Sequence, residues 1–248
     1  MSTSVAHWSF WVIALFVIIF LRYLLFSGGY DWLFRRRLGG RHWFTVLHPT
    51  KRGADLRTKE IIRSAGVSLI FAAFGIGLLW LWQAGYTRLY LTLTTVSDWV
   101  WLGLGPVLFL LAQETYYYWV HRWMHRPGVY ERVHRWHHES IETTVWTAFS
   151  FHPYEAVLQA VFLPLAAVVI PMHALAFLTL LGVMTLSATV NHAGVEVFPA
   201  SWGRLPLLRG LVGATHHDVH HRAAKYHYGL YFTFWDRWMG TEKEGYRG

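Results

Sequence analysis

The chain contains no cysteine. Disulfides, thiolate zinc sites and iron–sulfur clusters are therefore excluded, and any metal has to be held by His, Asp or Glu. Charge is also scarce, at 15% Asp, Glu, Lys and Arg among 248 residues of which 54% are hydrophobic. The sequence has neither a GxGxxG turn nor a P-loop. Gly75-Ile-Gly77 and Gly103-Leu-Gly105 lie in apolar runs without a third glycine, and are expected as helix-packing sites instead.

Apolar and aromatic residues are plentiful and gathered into long runs. Trp (15), Tyr (13) and Phe (16) are abundant, as where rings sit at membrane–water interfaces. The mean hydropathy is only +0.27, so much of the chain lies outside lipid. Residues 8–26 are long enough to cross a bilayer and read as a permanent anchor, not a cleaved signal, with Arg22 close enough to the end to snorkel outward. Further runs cover about 61–83 and 98–120, and a stretch from 155 to 190, broken by Pro164 and Pro171, is expected as an apolar hairpin.

The net charge of +8 flanks these runs and is not interleaved with aromatics, which points to topology and lipid headgroups and away from nucleic acid. Residues 34–60 carry Arg35, Arg36, Arg37, Arg41, Lys51, Arg52, Arg57 and Lys59, so this loop is expected in the cytoplasm and the N-terminus outside. The fold class expected is an all-α integral membrane protein. It has about four transmembrane helices, or three plus the hairpin, and a cytoplasmic helical His-rich domain. The expected division is 1–97 as a membrane anchor and 98–248 as the domain that carries chemistry. A bacterial inner membrane is expected ahead of the endoplasmic reticulum.

Of 16 histidines, 13 fall between 121 and 227. Three clusters stand out: His121 with His125; His134 with His137 and His138; and His217 with His220 and His221, preceded by His216. Residues three and four apart share a helix face, so each cluster converges. Arg126-Pro127-Gly128 is expected to end the first helix and turn the chain back. All three clusters fall on one expected face of the membrane. One HxxxH pair alone says little, and a lone His beside Trp is usually structural. Eight crowded imidazoles, however, exceed what one ion uses, and imidazole suits iron, zinc, copper and nickel.

Three rival readings of such a histidine-rich membrane protein are legible. A zinc hydrolase would need a general base placed as in HExxH, which no cluster has. Electron transfer through haem would place paired His on helices within the bilayer, and a metal transporter would line the spans with His or Asp. The spans here hold little beyond Glu114 and His173.

The order HxxxH, HxxHH, apolar hairpin, HxxHH resembles the fatty acid hydroxylase/sterol desaturase superfamily. Three strings, Ser150-Phe-His-Pro-Tyr-Glu155, Asn191-His-Ala-Gly194 and Trp235-Asp-Arg-Trp-Met-Gly-Thr241, are similar to its sterol C-5 desaturase branch. The resemblance spans roughly 100–241. It implies a non-haem di-iron centre that uses O2 to hydroxylate or desaturate a lipid, with zinc a substitute in a purified sample. It implies electrons from a separate ferredoxin, reductase or small haem protein, which a basic surface would dock. By position the metal ligands would be His121, His125, His134, His137, His138, His217, His220 and His221, with His192 a ninth. His152 and His216 are expected as supporting or alternate residues. His173 and His227 are expected to be structural, and His7, His42 and His48 interfacial. Carboxylates that would receive ligand N–H groups are Glu114, Asp218, Glu139 and Glu155, with Glu114 two turns before His121. Trp119, Trp123, Trp136 and Trp146 are expected as interface anchors or the lipid entrance.

Overall fold

The computed structural model describes residues 5–38, 44–48, 54–205 and 208–244. Arg41, His42, Lys51 and Arg52 and the side chain of His7 lie outside what is described. Helix α1 (Val5–Tyr30) continues as a π-helical stretch, Asp31–Arg37. It is followed by α2 (Ala54–Gln83) and α3 (Val96–Met124). The start of α3 is set by a capping box in which Thr95 and Asp98 satisfy each other's backbone N–H groups.

The expected hairpin has unequal arms. Its first is broken into α6 (Pro153–Ala160) and α7 (Phe162–Val169), with the short α4 (Tyr130–Val133) and α5 (Arg135–His138) lying before it in the chain. Its second arm is an unbroken helix, α8 (Ala174–His192). At about 1.5 Å per residue, the 19 residues of α8 come close to the ~30 Å of a hydrocarbon core. Four helices, spanning 8–37, 55–83, 96–124 and 174–192, are thus long and apolar enough to cross a membrane. The chain is an integral membrane protein. Phe10, Ile13, Leu25, Val107 and Leu178 point outward from these spans, as side chains facing lipid do.

Strands are confined to two tiny ladders. Thr45–Val46 (β1) pairs antiparallel with Val195–Glu196 (β4), and Leu89–Tyr90 (β2) pairs parallel with Met172–His173 (β3). The second ladder ties the α2–α3 connection to the turn before α8. There the α3 backbone comes so near that a Cβ on Gly105 would lie 2.6 Å from the Pro171 carbonyl oxygen. Gly75 likewise faces Leu15 at 3.1 Å, whereas Gly77 and Gly103 meet nothing within 4 Å. Half of the expected packing glycines therefore pack.

The opposite end of the bundle carries the polar residues. Buried Glu60 on α2 accepts from Ser140 and, at 2.8 Å, from Thr147. Arg63 donates to the Trp136 carbonyl at 3.0 Å, and Arg35 to that of Ala193 at 2.7 Å. The basic connection between α1 and α2 and the His-rich segments thus share one end.

Candidate metal centre

Four stretches of chain bring the histidines together. The last turns of α3 carry His121 and, at its C-cap, His125. Gly128, with φ +78°, turns the chain back as expected from Arg126-Pro127-Gly128. The second cluster is not on one helix: the backbone breaks at His134, between α4 and α5, yet His134 and His138 still meet. The end of α8 supplies His192, and α9 (Ala214–Ala223) supplies His217, His220 and His221.

The nine side chains form two groups within which ligand atoms lie no more than 4.8 Å apart. One comprises His121, His125, His134, His138 and His220; the other comprises His137, His192, His217 and His221. All are buried except His125, which is half-buried. In the first group Nε2 atoms approach at 3.2 Å (His121–His134), 3.2 Å (His134–His138), 3.1 Å (His138–His220) and 3.1 Å (His125–His220). In the second the separations are 3.1 Å (His137–His192), 2.8 Å (His192–His217) and 3.1 Å (His217–His221).

The outer ring nitrogens fix the tautomers. Nδ1 of His121 faces the Tyr228 carbonyl at 3.0 Å, that of His220 faces Tyr226 at 2.7 Å, and that of His192 faces Ala188 at 2.7 Å. His137 Nδ1 faces the Ser150 carbonyl at 3.4 Å. A carbonyl only accepts, so these Nδ1 atoms carry the proton and each neutral ring turns a bare Nε2 lone pair inward. His137 and His192 then confront each other lone pair to lone pair. His121 and His220 both present bare nitrogens, with ring centroids 4.4 Å apart. Such an arrangement is repulsive and buried, and a cation among the nitrogens removes the penalty. The donor set fits a metal ion in each group.

Electrostatics agree. Burial first, and then repulsion from neighbouring imidazoles, holds His125, His134, His137, His138, His217, His220 and His221 well below the ordinary imidazole pKa. At neutral pH these rings are uncharged and able to ligate.

The remaining expected residues fall elsewhere. His152 caps α6, accepting from Tyr154 N, and His173 caps α8, accepting from Leu175 N. His216 packs on His227, with Nε2 3.5 Å from Asp236. His48 is not interfacial: it is buried, 2.5 Å from Asp218, and accepts from Arg222. Asp218 is engaged there and with Arg222, on the side of α9 away from the cage.

Among the four carboxylates, Glu155 alone faces a cage imidazole, its Oε2 lying 2.8 Å from His134 Nδ1 with both groups fully buried. Glu139 pairs with Lys59 and Arg63. Glu114 accepts from the backbone N–H groups of Leu230, Tyr231 and Phe232 and so reaches the cage only through that loop. Trp119, Trp123 and Trp136 are exposed at the cage end, while Trp146 packs inside against Tyr23.

A fatty acid hydroxylase model matches residues 106–241, more than half of the chain and all nine histidines. The chain belongs to the fatty acid hydroxylase family. Among its relatives, the Delta(7)-sterol 5(6)-desaturase of Eremothecium gossypii is 32% identical over 161 residues, covering 64% of this chain and 44% of the relative. The lathosterol oxidase of Mus musculus is 32% identical over 161 residues, covering 64% and 52%. A Delta(7)-sterol 5(6)-desaturase of Aspergillus fumigatus is 27% identical over 246 residues, covering 89% and 71%. The chain spans about half the length of most of the curated relatives it matches. These relatives agree with the sterol desaturase branch that the three short strings resemble. No solved structure matches the chain.

Sequence reading missed the carbonyls of Tyr226 and Tyr228, because backbone atoms leave no mark in a sequence. It also passed over Asp236, although Asp236 sits inside one of the quoted strings.

Proposed function

We propose that this family member is a membrane-bound non-haem di-iron oxidoreductase that hydroxylates or desaturates a C–H bond of a lipid, using O2 and electrons from a separate donor. The observation that carries the reading is the pair of buried histidine groups whose inner nitrogens crowd together, with His137 and His192 facing each other without a proton to share. His121, His125, His134, His138 and His220 would hold one ion, and His137, His192, His217 and His221 the other. When bound, the irons supply the O2-dependent oxidation, and zinc would occupy the same nitrogens without it. The chain's own part is to keep the rings neutral, fix their tautomers through Tyr226, Tyr228 and Ala188, and exclude water from the cage.

The substrate class follows from position: the cage lies at the foot of α3 and α8, so a lipid enters sideways from the bilayer. We assign residues 1–97 as the anchor and 98–248 as the di-iron domain. The basic connection between α1 and α2 shares its end of the bundle with the cage, which supports a cytoplasmic orientation. The relatives above are fungal and murine, and they lend no support to a bacterial inner membrane. Exposed Arg126, Arg132 and Arg135 follow half-buried His125 in the chain, and suit an acidic electron donor.

The test is anaerobic purification with metal analysis and absorption spectra, followed by mass analysis of lipids from cells with active protein or a His217→Ala variant. Expected are two non-haem irons per chain and a lipid gaining 16 or losing 2 mass units, as addition of one oxygen or removal of two hydrogens requires. Zinc alone without O2 consumption, or a haem Soret band, overturns the reading.

A further inference from the structure

Residues 226–232 run past the five-histidine group as an irregular segment held by two carboxylates. Asp236, fully buried, accepts from the N–H groups of Tyr228 at 2.8 Å and Gly229 at 2.9 Å, and from Thr241 Oγ1 at 2.7 Å. Glu114, also fully buried, accepts from the next three N–H groups, those of Leu230 (3.1 Å), Tyr231 (2.6 Å) and Phe232 (3.1 Å). Five consecutive backbone donors are thus consumed by two side chains. Gly229 sits between them: a Cβ there would lie 2.4 Å from the Phe232 carbonyl, 3.0 Å from Asp236 Oδ2 and 3.1 Å from Glu114 Oε1.

The same segment presents carbonyls to the cage, Tyr226 to His220 Nδ1 and Tyr228 to His121 Nδ1. Both rings belong to the five-histidine group. In the four-histidine group the outward partners come from elsewhere, Ala188 for His192 and Ser150 for His137.

We infer that Glu114 and Asp236 are positioning residues for one of the two ion sites. By gripping the amides of 228–232 they aim the carbonyls of Tyr226 and Tyr228, which fix the tautomer and tilt of His220 and His121. They touch neither ion site directly, and both carbonyls they aim serve rings of the five-histidine group. The inference rests on the metal-binding reading above. Groups that orient metal-bound imidazoles typically change affinity 10–100-fold when lost.

The experiment measures Co(II) affinity of the purified full chain in detergent in two backgrounds. His217→Ala with His221→Ala leaves the five-histidine group as the intact site; His125→Ala with His138→Ala leaves the four-histidine group. Asp236→Asn is expected to weaken Co(II) binding roughly 10–100-fold in the first background and to leave the second unchanged. Glu114→Gln is expected to do the same. Gly229→Ala keeps both carboxylates and separates them, and gives the same reading if either carboxamide variant does not fold. Unchanged affinity in the first background, or equal weakening in both, overturns the inference. A parent chain that binds no Co(II) in either group overturns the metal-binding reading instead.

Discussion

At the residue scale the decisive chemistry is the division of His121, His137, His192 and His220 into an outer, proton-bearing nitrogen and an inner, bare one. Glu155 is the carboxyl group that faces a cage ring directly, at His134 Nδ1. Glu155→Gln retains the shape and replaces the carboxyl group that faces the ring, and metal affinity is expected to fall 10–100-fold, read by chelator competition on purified protein. The depressed pKa values give a second expectation. Rings held neutral in the fold but protonating near pH 6.5 when unfolded make the unfolded chain bind more protons as pH falls below that value. Stability of the metal-free protein should be flat with respect to these groups above about pH 7 and should decline as pH drops from 6.5 toward 5. A thermal midpoint unchanged over that interval would contradict the burial of uncharged rings.

At the scale of elements, the helix faces were legible because 3.6-residue periodicity leaves little freedom: His217, His220 and His221 had to share a face of α9, as they do. The same rule explains two expectations that the structure redirects. Asp218, one residue on from His217, is rotated about 100° around the axis and turns to His48 and Arg222. Glu114 shares the face of His121, but seven residues are about 10 Å of rise, so its carboxylate meets a loop and not a ring. The break at His134 and the two-residue ladders escaped notice because so short a segment carries no period. Helix contacts yield a prediction of their own. Gly105→Ala drives a methyl into the Pro171 carbonyl, and overpacking of that kind costs about 1–3 kcal/mol. The neighbouring Gly103→Ala meets open space and should be tolerated, so thermal unfolding of the two variants in detergent should differ by several degrees.

At the scale of the whole molecule, the spans and the single polar end were readable from where charge is absent and where Arg and Lys collect. The unequal arms of the hairpin were not, since Pro164 and Pro171 interrupt the run without saying which half stays straight. The excess of positive charge sets an expectation for the electron donor. If it docks by charge, its rate of reducing the enzyme should fall steeply as ionic strength rises, because the Debye length shrinks to about 3 Å at 1 M salt. Reversing Arg126, Arg132 and Arg135 to Glu should slow that step and leave the metal content intact, checked by stopped-flow absorption.

The histidine groups are not built from separate pieces of chain. The short helix α5 sends His138 to one group and His137 to the other, and α9 sends His220 to one and His217 with His221 to the other. A substitution that displaces the backbone of either short helix therefore disturbs rings in both nests at once.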